Sequence, residues 1–333
     1  MSTYQQIMQS LKKGQWQPIY FLQGEEPYYI QQISDYIGQH ALPEAEQSFN
    51  QSVLYGRDLD IQTLLDNLRR LPMMSSHQVV ILREAQTIRD FANKMEAYWN
   101  NPVPSTIFVV QFMGKKIRGN SKAANAIKKN GVLFTSDKVR DYKLVDWIQQ
   151  HISAEGKQIE PKAALLLAEY LGNDLSQIVH SLEKLEVNEV GDHITAADIE
   201  KYVGISKDYN IFELNNALME RQRTKAFTII RYFGANPKAC PFPVLMAGLY
   251  GLFSRLLILH GLPTHDKKAI ATKLRVNPYF VNDYLRARQQ YSVPQLRQVM
   301  RVLSEFDLKF KGVGSVERKD AALMQEMVAK ILL

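Results

Sequence analysis

The sequence predicts an α/β fold followed by all-α structure: a parallel-sheet domain over residues 1–140, a small helical domain over 141–208 and a larger helical domain over 209–333. Three observations predict it. Short apolar runs alternate with helical stretches only in the first part, strand patterns stop near residue 140, and the charge changes sign along the chain. The chain has 333 residues, more than one ordinary domain holds. Residues 1–140 carry 16 Lys/Arg against 12 Asp/Glu, residues 141–208 carry 6 against 13, and residues 209–333 carry 19 against 9. The net charge of +7 therefore comes mainly from the last third, and a chain with cationic and anionic parts fits docking onto other proteins or approach to nucleic acid. With 46% hydrophobic and 23% charged residues, the composition is globular and not disordered.

In the first part the apolar runs are PIYFLQG (18–24), SVLYG (52–56), QVVIL (78–82), TIFVVQF (106–112) and GVLFTS (131–136). They lack clean alternation, as strands of a parallel sheet covered on both faces do. Between them PYYIQQISDYIGQHA, DIQTLLDNLRRL, ANKMEAYWN and SKAANAIKK read as helices. Beyond residue 140 the strand signals end. KLVDWIQQHISAEG stops at a glycine, PKAALLLAEYLGN opens with a proline, and DLSQIVHSLEKLEVN repeats Leu175, Ile178, Val179, Leu182 and Leu185 at helical spacing. ITAADIEKYVG adds a short helix capped by Thr195. From Asn210 onward five helices are expected: IFELNNALMERQRTKAFTIIRYFG, PFPVLMAGLYGLFSRLLILHG, NPYFVNDYLRARQQYS, VPQLRQVMRVLSEFDLKFKG and a last one from about Asp320.

Several function classes find no support. No apolar run approaches the length needed to span a bilayer and the N-terminus lacks the apolar core of a signal peptide, so a cytoplasmic protein with no membrane partner is expected. The single Cys240 excludes an intramolecular disulfide and a cysteine-based zinc site, and it reads as a small core filler. Histidines 40, 77, 151, 180, 193, 260 and 265 include no i, i+4 pair and read as surface or packing residues. No Gly-x-Ser-x-Gly elbow is present.

A sheet domain followed by a small helical domain resembles nucleotide-binding ATPases, which raises the question of the phosphate site. A P-loop needs a glycine-rich turn ending in Gly-Lys-Ser/Thr, because backbone N–H groups and the lysine surround the phosphates. The first strand here runs into LQGEEPYYI, where Glu25 and Glu26 repel a triphosphate and Pro27 has no N–H. The strand at 78–82 leads into Arg83 and Glu84, and Glu84 reads as a solvated loop residue, not a Mg²⁺ ligand. KGVGS (311–315) follows a helix and reads as a connection. No cofactor is expected.

QPIYFLQGEEPYYI, LRRLPMMSSHQVVIL, GNDLSQIVHSLEKL, KLRVNPYFVNDYLRARQQYS and LSEFDLKFKGVGS, in this order and spacing, resemble the delta subunits of bacterial DNA polymerase III clamp loaders over nearly the whole chain. The resemblance implies an AAA+-like, P-loop-type sheet domain with a degenerate phosphate loop, a three-helix lid and a C-terminal helical collar. It also implies a subunit without ATPase activity that binds and opens the sliding clamp (beta subunit) for loading on primed DNA. Its companions would be gamma/tau and delta-prime in a hetero-pentamer, and as a holoenzyme subunit it would be classed with the DNA-directed DNA polymerases (nucleotidyltransferases). Family members carry the clamp-binding element at the tip of the helix before the third strand. Here that position is LPMMSS: Met73 and Met74 stand where a leucine and an aromatic residue are often found, and Leu71 matches a flanking apolar position.

The residues themselves fit this placement. Ile61, Leu64, Leu65, Leu68 and Leu71 form an apolar stripe that anchors the helix, Arg69 and Arg70 complement its C-terminal dipole, and Pro72 ends it. The methionines are then expected to project from the helix end, or else to fold back onto the core. A second candidate surface is GKKIRGNSKAANAIKKNG, where Lys115, Lys116, Arg118, Lys122, Lys128 and Lys129 meet no acid between residues 113 and 136. It reads either as a contact for the DNA backbone, insensitive to base sequence, or as an ordinary solvated surface. Two other functions stay open on the residues alone: an AAA+-type nucleotidase with an unconventional phosphate site, and a free-standing basic DNA-binding protein.

Overall fold

The computed structural model describes residues 3–188, 190–204, 209–264, 266–313 and 320–333. Two units divide the chain, Met1–Val139 and Arg140–Leu333. In the first, five parallel strands form one sheet: β1 (Ile19–Gly24), β2 (Gln51–Tyr55), β3 (Gln78–Arg83), β4 (Thr106–Met113) and β5 (Val132–Ser136), in the order β2-β3-β4-β1-β5. The helices of this unit are α1 (Tyr4–Lys12), α2 (Pro27–His40), α3 (Glu44–Asn50), α4 (Ile61–Arg69), α5 (Phe91–Lys94), α6 (Glu96–Asn100) and α7 (Lys122–Asn130).

The alternation of side chains along each strand feeds two cores. Ile19 and Phe21 point to one face, where Leu64 and Leu68 of α4, Trp99 and Ile127 pack; Tyr20 and Leu22 point to the other, against Ile30, Ile33 and Ile37 of α2. Trp99 lies edge-on to Phe21 and stacks on Phe108, and its indole N–H donates to the Ala92 carbonyl at 2.8 Å. Every strand residue from Ile19 to Gly24 is buried, as expected for the centre of a parallel sheet. Edge strand β2 departs from the expected two-sided cover: Val53 and Tyr55 are exposed and none of its residues is fully buried, whereas the other edge strand, β5, keeps Leu133, Phe134 and Ser136 buried. Helices α1 and α3 are not among the expected elements: α1 does carry Tyr4, Ile7, Met8 and Leu11 at helical spacing, whereas α3 is polar without apolar periodicity; the expected helix at 92–100 is broken at Met95.

The second unit is mostly helical: α8 (Asp141–Ala154), α9 (Pro161–Leu171), α10 (Leu175–Val187), α11 (Ala196–Asp198), α12 (Ile211–Met219), α13 (Arg223–Ala235), α14 (Phe242–His260), α15 (Lys267–Leu274), α16 (Val281–Gln290), α17 (Val293–Phe310) and α18 (Asp320–Leu332). Thr195 caps α11 as expected, with a reciprocal Asp198 bond, and α11 continues into a π turn over Ile199–Val203. Strand signals do not end wholly at residue 140, since Gln158–Ile159 and His193–Ile194 pair as a two-residue parallel ladder too short to show a pattern. Seven α-helices, not five, occupy the described residues after Asn210. The single helix expected over 211–234 breaks at Arg221, which takes a left-handed φ of 54°, and α15 has no counterpart among the expected helices.

α14 also corrects the expectation about bilayer-length runs: its 19 residues are long and apolar enough to cross a membrane, with a mean hydropathy of 1.8. Seven of them, Phe242, Leu245, Leu249, Leu252, Phe253, Leu256 and Leu259, are buried in the helical core against Leu303, Phe306 and Met327. His265, Gly314, Ser315 and the end of the 141–208 segment at 205–208 lie outside the described residues.

Candidate protein-interaction site

The site is built at the end of α4. Asp60 caps the start of this helix: its carboxylate accepts from the Thr63 N–H at 2.9 Å, and the Thr63 hydroxyl bond holds the carboxyl below the usual aspartate range. Leu64 and Leu68 are fully buried and Ile61 and Leu65 pack at the margin of the same core. The predicted stripe fails at its last member. The helix ends at Arg69, Arg70 turns to an extended backbone (φ −62°, ψ 140°), and Leu71 leaves the buried face with 76% of its surface exposed. Pro72 sits beyond the helix, which has already ended at Arg69.

The loop 70–77 then carries its apolar side chains outward. Met73 is 57% exposed and Met74 is fully exposed, so the expected projection is found and neither folds back onto the core. Met74 holds a left-handed φ of 53°, uncommon for a residue other than glycine, asparagine or aspartate. Such a conformation persists where surrounding bonds over-determine the chain, and those bonds are buried amides.

Gln78, at 4% exposure, opens β3 and turns its side-chain amide back under the helix end. Its N–H groups are shared among the carbonyls of Asn67 (3.1 Å), Leu68 (3.3 Å) and Arg70 (2.7 Å) and the Thr106 hydroxyl (2.9 Å). Thr106 in turn donates to the Leu68 carbonyl at 2.9 Å. The orphan carbonyls of the last helical turn are thus satisfied by side chains from β3 and β4. Asn50, also at 4% exposure, brackets the next residue: Met73 N–H donates to its Oδ1 at 2.6 Å, and its Nδ2 donates to the Met73 carbonyl at 2.9 Å. Arg70 Nη2 donates to the Phe49 carbonyl at 2.9 Å. Sequence patterning missed Asn50, Gln78 and Phe49, of which Phe49 is 60% exposed.

The opposite end of the sheet holds the position where an ATPase would bind phosphate. Gly24 has φ 130°, and a Cβ there would stand 2.0 Å from the Ser136 carbonyl oxygen. Glu26 is buried and caps α2, its carboxylate accepting from the Tyr28 N–H at 3.0 Å, while Pro27 occupies the first helical position. The helix start is therefore already capped by a side-chain oxygen of the chain itself. Lys116 pairs there with Asp137, and that hydrogen bond, with smaller attraction to Asp137 and Glu25, raises the lysine pKa.

Lys115, Lys116, Arg118, Lys122, Lys128 and Lys129 are all exposed, on α7 and the loop before it. Lys115 donates to the Gln86 carbonyl at 3.4 Å and Lys128 to the Gly119 carbonyl at 2.6 Å. Beside them a cleft of about 690 Å³ is rimmed by Arg89, Lys115 and Arg118, so Arg89 joins the basic surface from a distant part of the sequence. Among the described residues no group of three or more His, Cys, Asp or Glu is arranged to hold a metal ion.

Comparison with known proteins gives consistent results. The family model for the DNA polymerase III delta subunit matches residues 20–136, and a second model, for the C-terminal domain of the same subunit, matches residues 208–330. The chain is 26% identical to DNA polymerase III subunit delta of Bacillus subtilis, covering 98% of this chain and 96% of that one. It also resembles the solved structure of the Bacillus subtilis DNA clamp loader delta protein, with a TM-score of 0.62, 23% identity and 99% of each chain covered.

The amide frame makes a direct prediction. Gln78→Leu leaves the carbonyls of the last α4 turn and the Thr106 hydroxyl short of donors in a buried place, and is expected to lower unfolding stability by roughly 1–3 kcal/mol. Urea denaturation followed by circular dichroism measures this; an unchanged midpoint would show that the frame contributes nothing.

Proposed function

The chain belongs to the DNA polymerase III delta subunit family, and on that premise we propose that its AAA+-like domain holds the sliding clamp through the loop at the end of α4. Clamp loading is the function that membership gives it, and as a DNA polymerase III subunit it falls in the DNA-directed DNA polymerase class. The observation that carries the reading is the exposure of Leu71, Met73 and Met74 on a loop whose backbone is fixed by buried side chains. Exposed apolar residues on a rigid support are what a protein interface uses as anchors, because little ordering is left to lose on binding. Burying both methionines in an apolar pocket contributes roughly 3–6 kcal/mol before the costs of association.

In this reading residues 1–140 form the clamp-binding domain, 141–208 a lid and 209–333 a collar that joins gamma/tau and delta-prime subunits in a cytoplasmic hetero-pentamer. The subunit does not hydrolyse ATP, because Glu26 and Pro27 take up the donors and the space that a phosphate needs. Lys115, Lys116, Arg118, Lys122, Lys128 and Lys129 contact the backbone of primed DNA within the assembled loader, through phosphate alone.

Three outcomes are expected. Met73→Ala with Met74→Ala weakens binding of the purified chain to its sliding clamp by roughly tenfold or more, with the fold intact; equal affinity, read by surface plasmon resonance, would remove the loop from the interface. Equilibrium dialysis with labelled ATP finds no binding at micromolar concentrations, and saturable uptake would instead favour a nucleotidase. Replacing Arg118, Lys122 and Lys129 by alanine in the reconstituted loader shallows the salt dependence of DNA binding by about 0.9 in log–log slope for each phosphate no longer neutralised; an identical slope would leave these cations as ordinary surface.

A further inference from the structure

Phe49 is separated from the methionine loop by more than twenty residues of sequence, yet both hang on the same hydrogen bonds. Its own carbonyl accepts from Arg70, and the next residue, Asn50, holds both backbone polar groups of Met73. The ring is 60% exposed at the last turn of α3, although a phenylalanine of this size is ordinarily drawn into a core. We infer that Phe49 is a further anchor of the clamp contact, entering the same apolar region of the clamp as Leu71, Met73 and Met74; this rests on the clamp reading proposed above.

Two physical arguments carry it. The methionines are unbranched and flexible, so they fill a pocket without fixing the angle of approach. A phenylalanine has only two side-chain torsions and a large rigid face, and it sits on a backbone already tied to the loop, so it adds contact area at little cost in ordering. The surroundings also fit one kind of occupant. Arg69 and Arg70 are exposed beside the loop and no carboxylate occurs in that segment between Asp66 and Glu84, while on the Phe49 side Glu44 and Glu46 lie in the first turn of α3. A partner face with an apolar pocket beside acidic groups matches this charge pattern.

The test compares Phe49→Ala, Phe49→Leu and the Met73→Ala/Met74→Ala double variant of the full chain for binding to the sliding clamp at low and high salt. Phe49→Ala is expected to weaken binding about tenfold, equally at both salt concentrations because an apolar contact is not screened, and Phe49→Leu to recover part of the loss. Unfolding midpoints stay unchanged, since the side chain is mostly outside the core. If the methionine variant loses affinity while Phe49→Ala binds like the natural chain, the inference about Phe49 is overturned and the clamp reading stands. If the Phe49→Ala loss disappears at high salt, the residue acts through the position of Arg70 and the inference also falls. If the methionine variant binds normally, the clamp reading itself fails.

Discussion

The surface of the first unit depends on one economy of chemistry: three buried polar side chains, Asn50, Gln78 and Thr106, serve as a helix cap, a turn and a strand contact at once. A helix that ends inside a protein leaves carbonyls that must find donors. Here the donor is an amide from the first residue of β3, so the position of α4 along its axis is tied to the register of the sheet. Exposed apolar side chains beyond that point are then held away from the domain by geometry, even though water would favour their collapse inward. A low dielectric strengthens each of these bonds and makes the loss of any one costly, so the three act together.

Sheet polarity separates this loop from the turn between β1 and α2. The loop lies at the N-terminal end of β3, and Gly24, Glu26 and Ser136 lie at the C-terminal ends of β1 and β5. A strand of this length places the two roughly 20 Å apart. An ancestral-type scaffold binds its ligand outside the carboxyl ends of parallel strands. In this chain Glu26 caps α2 at that end, and the exposed Leu71, Met73 and Met74 lie at the other.

Much of this was legible in the sequence, for definite reasons. Parallel strands read as apolar runs, so all five were visible, including edge strand β2 with its exposed Val53 and Tyr55. The loop was visible through Pro72 and the two methionines. What stayed hidden depends on contacts between distant residues. Helix α3 is a short polar segment of seven residues, EAEQSFN, without apolar periodicity, so neither Asn50 nor Phe49 stood out. Gln78 read as the polar start of a strand, since nothing local shows where a side-chain amide will turn. Leu71 was assigned to the stripe of α4 because periodicity does not reveal that the helix stops two residues earlier. Arg221 broke a helix through a left-handed backbone that its residue type does not announce.

The carboxylate of Glu26 at the start of α2 has a consequence for timing. A domain that senses a nucleotide must have two states whose energies the phosphate biases. The start of α2 is already capped by a carboxyl group of the chain itself, which occupies the Tyr28 N–H. On the clamp reading proposed above, the presentation of the loop at the end of α4 would be set by the fold of this unit alone, through Asn50 and Gln78, and its timing would come from whatever covers or uncovers it.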